Sequence, residues 1–434
     1  MNSGNRSESY FSGIDQYQRP SLQDADTNPD ICQMRIKLIL IIALLLGNMP
    51  LFAQWQLSEE AEIHIVTCGP YQGELYSAFG HSAIRVTDPG SGIDIIYNYG
   101  IFNYNQPNFY LNFARGYMYY KLAASAYEGF RNYYISENRY IHEQVINLSP
   151  LQKQTVFNFL QWNARPENSQ YRYDYFYDNC ATRVRDVFTD ILQDSIRFDS
   201  SYAKTGYTVR ELCDMYLGYQ PWGDLGIDLC LGMPMDRKMS TYQYMFLPDY
   251  VEAGFDQSQV YREGKWQPLV KETKLTYESR PENPPSTLWN PALLFWLVFL
   301  AGAVITYLGY RRKKLLIWWD VIIFSIVGLV GWLLLALWLF TDHEAAARNL
   351  NLLWALPFHF PLVLILSLGK RRLLAYYMRI TAMIYFAVLV LWGFLPQDLH
   401  YSLIPLVLLL LVRSFYIQYH QLLLVRAEGE PQEN

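Results

Sequence analysis

The chain is poor in charge. Only 17% of its 434 residues are Asp, Glu, Lys or Arg, against 51% apolar residues, and the formal net charge is -5. Without a basic excess it lacks the phosphate-neutralising surface that dominates nucleic-acid affinity, so DNA and RNA are not expected as partners. Cysteine is scarce as well. The five cysteines include no CxxC and no Cys/His spacing of a zinc site, which predicts no structural metal; nothing else in the sequence calls for a cofactor. Collagen-like, coiled-coil and disordered classes are excluded by composition. The length exceeds that of one compact domain.

The apolar share averages two unlike halves. From Ala292 onward, runs of membrane-spanning length recur between short basic clusters, whereas residues 55–285 are mixed and rich in tyrosine. About 20 apolar residues are needed to cross roughly 30 Å of hydrocarbon. That criterion predicts five spans, near 292–310, 315–340, 352–369, 373–395 and 401–419. Arg311-Arg312-Lys313-Lys314 follows the first span and Lys370-Arg371-Arg372 the third, while the alternate loops lack such clusters. The positive-inside rule puts both clusters in the cytoplasm and residues 54–290 outside. Asp320, flanked by Trp318 and Trp319, is expected at the cytoplasmic interface. The outer loop Thr341 to Asn351 gathers His343, Glu344, Arg348 and Asn349 toward the exported half.

Met34-Arg35-Ile36-Lys37 precedes nine apolar residues, Leu38 to Leu46, and a small-residue site near Ala53, the pattern of a secretory signal. The expected organisation is a disordered or over-extended start over 1–33, a signal peptide over 34–53, an exported domain over 54–285, a transmembrane domain over 286–425 and a cytoplasmic tail over 426–434. The exported part keeps Cys68, Cys180, Cys213 and Cys230; spacing permits a Cys213–Cys230 disulfide in an oxidising compartment.

Two local patterns in the exported half carry chemistry. Gly80-His81-Ser82-Ala83-Ile84-Arg85-Val86 alternates as a strand, a turn cluster follows, and Ile93 to Gly100 returns, which predicts a hairpin with His81 at its start. Val184, Val187, Phe188, Ile191 and Leu192 follow helical spacing, with Asp178 or Asn179 as N-cap, so Cys180 falls in the first turn. Free N–H groups and the positive dipole end favour a thiolate there. A histidine opening an adjacent strand supplies the base, and Asn98 or Asp94 on the paired strand is the candidate to orient it. Cys68, which ends a strand shortly before His81, is the competing nucleophile. His64 reads as a packed core histidine and His142 as solvent-facing. Residues 103–120 are dense in Tyr, Phe and Asn and suit either a water–lipid interface or a tyrosine-rich core face.

Gly80-His81-Ser82, Tyr97-Asn98-Tyr99-Gly100 and Asn179-Cys180 together are similar to the circularly permuted papain-like thiol enzymes of the lecithin:retinol acyltransferase type, in which His precedes Cys. Thr67-Cys68-Gly69-Pro70, Asn179-Cys180-Ala181-Thr182-Arg183 and the loop His343-Glu344 to Trp354 extend the match: the chain resembles the Lnb-type bacterial lipoprotein N-acyltransferases over about residues 55–420. The resemblance implies an α+β permuted papain-like periplasmic domain followed by an all-α bundle of five transmembrane helices in the cytoplasmic (inner) membrane. It implies that Cys180 takes an acyl chain from a membrane phospholipid as a thioester and that the amine of a lipoprotein's diacylglyceryl-cysteine then receives it. His81 is the implied base and Asn98 its partner. Cys68, Ser82, Arg85, Asn179, Arg183, His343, Glu344 and Asn349 are the candidate binding residues. Two rival classes stay open, a membrane-tethered cysteine hydrolase of cell-wall peptide and a non-enzymatic envelope scaffold.

Overall fold

The computed structural model describes residues 33, 34, 37, 55–281 and 286–429, and everything below lies in the compact unit Gln56–Asn434. The expected tail over 1–33 and the signal over 34–53 fall almost wholly outside the described residues.

A seven-stranded antiparallel sheet organises the amino-terminal half. In chain order its strands are β1 (Glu62–Cys68), β2 (His81–Asp88), β3 (Ile93–Ile101), β4 (Tyr119–Ala126), β5 (Ile141–Ile146), β6 (Gln170–Arg172) and β10 (Val270–Tyr277). Their spatial order is β10-β5-β1-β2-β3-β4-β6. The expected hairpin is present, with Ile84 opposite Tyr97 and Val86 opposite Ile95. A second sheet joins β7 (Ile196–Arg197), β8 (Gln259–Arg262) and β9 (Lys265–Pro268).

The central strands are apolar on both faces because helices cover both. Val66, Cys68, Ala83 and Ile96 pack against Tyr127, Phe130 and Tyr134 of α2 (Tyr127–Ser136), which follows the short α1 (Phe109–Arg115). On the other face Ile63, Ile65, Ile84 and Tyr97 pack against α3 (Pro150–Asn163) and α4 (Cys180–Leu192). In α4 the buried residues Val184, Val187, Phe188 and Leu192 recur at helical spacing. Each such side chain withdrawn from water stabilises the fold by about 1.5–3 kcal/mol. Three longer helices follow, α5 (Val209–Leu217), α6 (Pro221–Cys230) and α7 (Pro248–Asp256), with a single turn of helix, Thr241–Tyr244, before the last.

The carboxyl-terminal half is helical: α8 (Pro291–Arg312), α9 (Ile317–Phe340), α10 (His359–Ser367), α11 (Arg371–Leu391) and α12 (Ile404–Gly429). Four helical stretches, Pro291–Arg312, Ile317–Phe340, Arg371–Phe394 and Tyr401–Ala427, are long and apolar enough to cross a membrane. The predicted third span, 352–369, departs from expectation. It is a 3-10 turn, an irregular stretch and the nine-residue α10. Pro357 and Pro361 explain the break, since a proline removes an N–H and crowds the preceding turn. Gly328 and Gly331 of α9 make room for the irregular backbone: a Cβ at Gly331 would stand 2.0 Å from the Ala355 carbonyl oxygen and one at Gly328 2.4 Å from the Phe360 nitrogen. Trp332 Nε1 donates to the Phe360 oxygen at 2.9 Å.

Asp320, in the first turn of α9, has a partner that its local sequence does not show. It is fully buried, and both its oxygens accept from Arg413 of α12, at 2.6 and 2.7 Å. A charge removed from water is retained where it is paired and hydrogen-bonded.

The two halves are joined by α6. Leu225 and Leu229 on this helix pack into the core of the helical bundle. Arg210 of α5, 1% exposed, spans Asp228 at 2.7 Å and Asp236 at 2.8 Å beside this joint. Around it Asp224 meets His400 at 3.2 Å, Gln397 Nε2 donates to the Leu231 oxygen at 3.0 Å, and Gly232 N–H donates to the Ala345 oxygen at 2.7 Å. The amino-terminal half is thereby held on one end of the helical bundle.

Candidate functional site

The site lies at the end of the sheet where β2 begins. Gly80, at φ +81, turns the chain sharply into β2; a Cβ there would lie 2.9 Å from the Cys68 carbonyl oxygen. His81 is therefore delivered at the strand's first residue, opposite Cys68 in the pairing with β1. Its ring stacks 6.0 Å from that of Tyr134, at an angle of 13°, with Phe130 at 6.3 Å. These α2 aromatics confine the imidazole.

Asn98 of β3 supplies the next contact. Its Oδ1 accepts from His81 Nε2 at 2.6 Å. An amide oxygen only accepts, so Nε2 carries a proton and Nδ1 is the nitrogen left for another partner. The alternative third group, Asp94, is elsewhere: it accepts from Arg85 Nε at 2.7 Å and Nη2 at 2.9 Å.

Cys180 arrives from the other face as the first residue of α4. Asn179 builds that helix start, its Oδ1 accepting from Thr182 N–H at 2.9 Å while Thr182 Oγ1 accepts from Asn179 N–H at 2.8 Å. The side-chain amide of Asn179 also donates to the Tyr175 and Phe246 carbonyls, each at 2.8 Å. This cap fixes where the helix begins and so where the sulfur stands. Burial of the half-buried thiol opposes its ionisation, but the charge of His81 and a hydrogen bond from it, with backbone N–H groups of Ser82 and Ala181, hold its pKa below the ordinary thiol value. Gly100, at φ +88, keeps the approach bare; a Cβ there would be 3.7 Å from Cys180 Cβ and 3.5 Å from the Tyr173 ring.

Cys68 has the opposite environment. It is wholly buried in the α2-facing core, and burial drives its pKa far above the ordinary thiol value. Cys213 is buried and Cys230 exposed, and both are free thiols rather than the disulfide that spacing permits.

The other predicted site residues lie in separate places. Ser82 neighbours the thiol through its backbone, with its hydroxyl fully buried and unpartnered. Arg85 is engaged by Asp94, by Glu143 at 2.7 Å and by the Tyr127 ring at 3.8 Å; Arg183 pairs with Asp178 and covers the Tyr171 ring at 4.3 Å. Asn349, 2% exposed, donates to the Leu229 oxygen at 2.7 Å and belongs to the joint between the halves. His343 Nε2 donates to the Phe113 oxygen at 3.1 Å, so this loop grips α1, and Glu344 follows it in a 3-10 turn. None of the last four contacts the thiol or the imidazole through a described hydrogen bond or ion pair. His142 is half-buried rather than solvent-facing, paired with Glu252 at 2.8 Å, and that bond raises its pKa. His64 is buried as expected, 3.1 Å from Glu143.

Residues 52–214 match the Lnb N-terminal periplasmic domain and residues 283–422 match the Lnb transmembrane domain. The chain belongs to the Lnb-type lipoprotein N-acyltransferase family. No curated protein and no solved structure matches it. Both family matches agree with the architecture: a periplasmic domain built on sheets is followed by a helical region with four apolar, membrane-length helices, and the Lnb protein is accordingly membrane-anchored. The Cys180, His81 and Asn98 constellation lies within the first matched segment.

Proposed function

We propose that this Lnb-family protein transfers an acyl chain from a membrane phospholipid to the α-amine of the amino-terminal diacylglyceryl-cysteine of lipoproteins, with Cys180 as nucleophile, His81 as general base and acid, and Asn98 as the residue that orients His81. The observation that carries this reading is geometric: Cys180 opens a capped helix, and the imidazole of His81 that supports its thiolate is tied through Nε2 to Asn98. The order of His before Cys on strand and helix is that of a permuted papain-like site.

In the first half-reaction the thiolate attacks an ester carbonyl of the phospholipid. The C–S bond forms, the C–O bond breaks, and the departing glycerol oxygen takes the proton from His81, leaving a lysophospholipid. In the second, the lipoprotein amine attacks the thioester, gives its proton to His81 and releases the thiolate. A thioester is much more reactive toward an amine than the parent oxygen ester, so each step is easier than direct transfer. Negative charge on the tetrahedral oxygen is stabilised by backbone N–H groups at the start of α4, where the first turn has no intrahelical acceptors. Both substrates carry chains that resist leaving the bilayer, at about 0.8 kcal/mol per methylene exposed, so the reaction is set at the outer leaflet, and the joint around Arg210 keeps the site on the helical bundle.

The topology we propose has five passes in the cytoplasmic membrane, with 352–369 as the third. At about 1.5–2 Å per residue, 18 residues of mixed 3-10 and α structure cover about 30 Å. Residues 34–53 serve as the export signal. A cell lacking the protein is expected to accumulate diacylated lipoproteins, restored to the N-acylated form by the wild type and not by Cys180→Ala. Unaltered lipoproteins with changed cell-wall fragments in that cell would replace this reading by a peptidoglycan hydrolase.

A further inference from the structure

Helix α1 is anomalous. Phe109–Arg115 is a helix with no buried residue, yet its sequence is FYLNFAR. Tyr110 is 78% exposed, Leu111 52% and Phe113 43%. A contiguous apolar patch of this kind on a water-facing domain marks a surface with a partner. Its position says which partner. Arg115 O accepts from Asp342 N–H at 2.9 Å, and Gly116 stands so close to the Asp342 backbone that a Cβ would come within 3.0 Å. Asp342 is two residues beyond Phe340, where the membrane-length helix α9 ends. Arg172 ties to the same Asp342 at 2.8 Å. The helix is thus fastened level with the outer end of a span, where aromatic side chains, leucine and a terminal arginine suit the lipid interface.

The inner side of α1 continues toward the thiol. Phe109 stacks 6.3 Å from Phe102, Phe102 lies 5.1 Å from Tyr120, and Tyr120 lies 4.4 Å from Tyr173. Tyr173 and Cys180 face one another across the bare Gly100. We propose that α1 lies in the outer leaflet of the bilayer and that the ring series Phe109, Phe102, Tyr120, Tyr173 forms the track along which a phospholipid acyl chain leaves that leaflet to reach Cys180. The second part rests on the acyl-transfer reading above; the first does not.

The test uses the full chain in phosphatidylethanolamine/phosphatidylglycerol vesicles, with the photoreactive benzoylphenylalanine in place of Tyr110, Phe113 or, as control, Leu151. Leu151 is 77% exposed but stands near Lys153, which bonds the Ala61 oxygen at the opposite end of the sheet. Irradiation is expected to give lipid adducts at 110 and 113 and several-fold less at 151. Equal yields at all three positions, or a cross-linked dimer as main product at 110 and 113, overturns the membrane placement in favour of solvent or a second copy. The track is read as a ratio, the rate of Cys180 acylation from vesicle phospholipid divided by that from a short-chain phosphatidylcholine kept monomeric. Leu111→Asp with Phe113→Asp is expected to lower that ratio at least tenfold, and an unchanged ratio overturns the track. If the wild type acylates Cys180 from neither donor, the nucleophile assignment fails and the track with it, while the adducts at 110 and 113 still decide where α1 lies.

Discussion

Replacing Asn98 by alanine isolates the contact that sets the state of the imidazole. The amide accepts from His81 Nε2 at 2.6 Å. A hydrogen bond from a group that becomes charged contributes about 1.5–3 kcal/mol, and about 1.4 kcal/mol corresponds to a factor of ten in rate. Asn98→Ala is therefore expected to slow acyl transfer about 10- to 150-fold while the protein stays folded. The sign of the pH effect follows from the same bond. In the wild type the Cys180 pKa is held below the ordinary thiol value, chiefly against burial, by the charge and hydrogen bond of His81. Loosening the ring weakens that support, so the thiolate forms at higher pH and the acid limb of the kcat/KM profile shifts upward. The assay is transfer from vesicle phospholipid to a diacylglyceryl-cysteine peptide across pH 5–9. Transfer within twofold of wild type, with the acid limb unmoved, would refute the assignment of Asn98 as the orienting group.

Three other outcomes are expected. Cys68→Ala should preserve transfer and lower stability by roughly 1–2 kcal/mol, the cost of a small void in a buried site, seen as a lower melting temperature in detergent; loss of transfer in a folded variant would point to Cys68 as the reacting thiol. Arg210→Met leaves Asp228 and Asp236 buried without their cation and should cost about 3–5 kcal/mol, whereas an unchanged melt would show that the joint does not depend on the network. Glu143, 1% exposed, has its pKa held well below the usual carboxylate range: burial opposes ionisation, but hydrogen bonds from His64, Thr276, Tyr127 and Arg85 outweigh it. Its stabilisation is fully present above its ordinary value and is lost as pH falls toward the folded value, so Glu143→Gln should flatten the loss of stability between pH 5 and 2; parallel acid titrations of the two proteins would contradict this.

The parts of the site legible in the sequence are those set by short-range rules. Alternation over 81–86 and 93–100 gave the hairpin, and with it the neighbourhood of His81 and Asn98. Helical spacing over 184–192 with Asn179 as cap located Cys180 at a helix start. What escaped depends on contacts across long separations. The Asp320–Arg413 pair escapes a local reading because its members are 93 residues apart. Cys213 and Cys230 have a spacing that permits a bridge, but one side chain turns into a core with Leu212 and Met235 while the other stays outside. Hydropathy over 352–369 cannot register that Pro357, Pro361 and the facing Gly328 and Gly331 favour an irregular backbone. Asn349 and Arg183, polar residues beside promising motifs, also hold structure, through Leu229 and Asp178, which only their partners reveal.

The most direct test is the mass of the Cys180 peptide after the purified protein has been incubated with phospholipid vesicles and no acceptor. The account predicts one hydroxylamine-labile acyl chain on Cys180, absent from His81→Ala, and its disappearance when a diacylglyceryl-cysteine peptide is added. An unmodified Cys180, or a chain found on Cys68 instead, would contradict it.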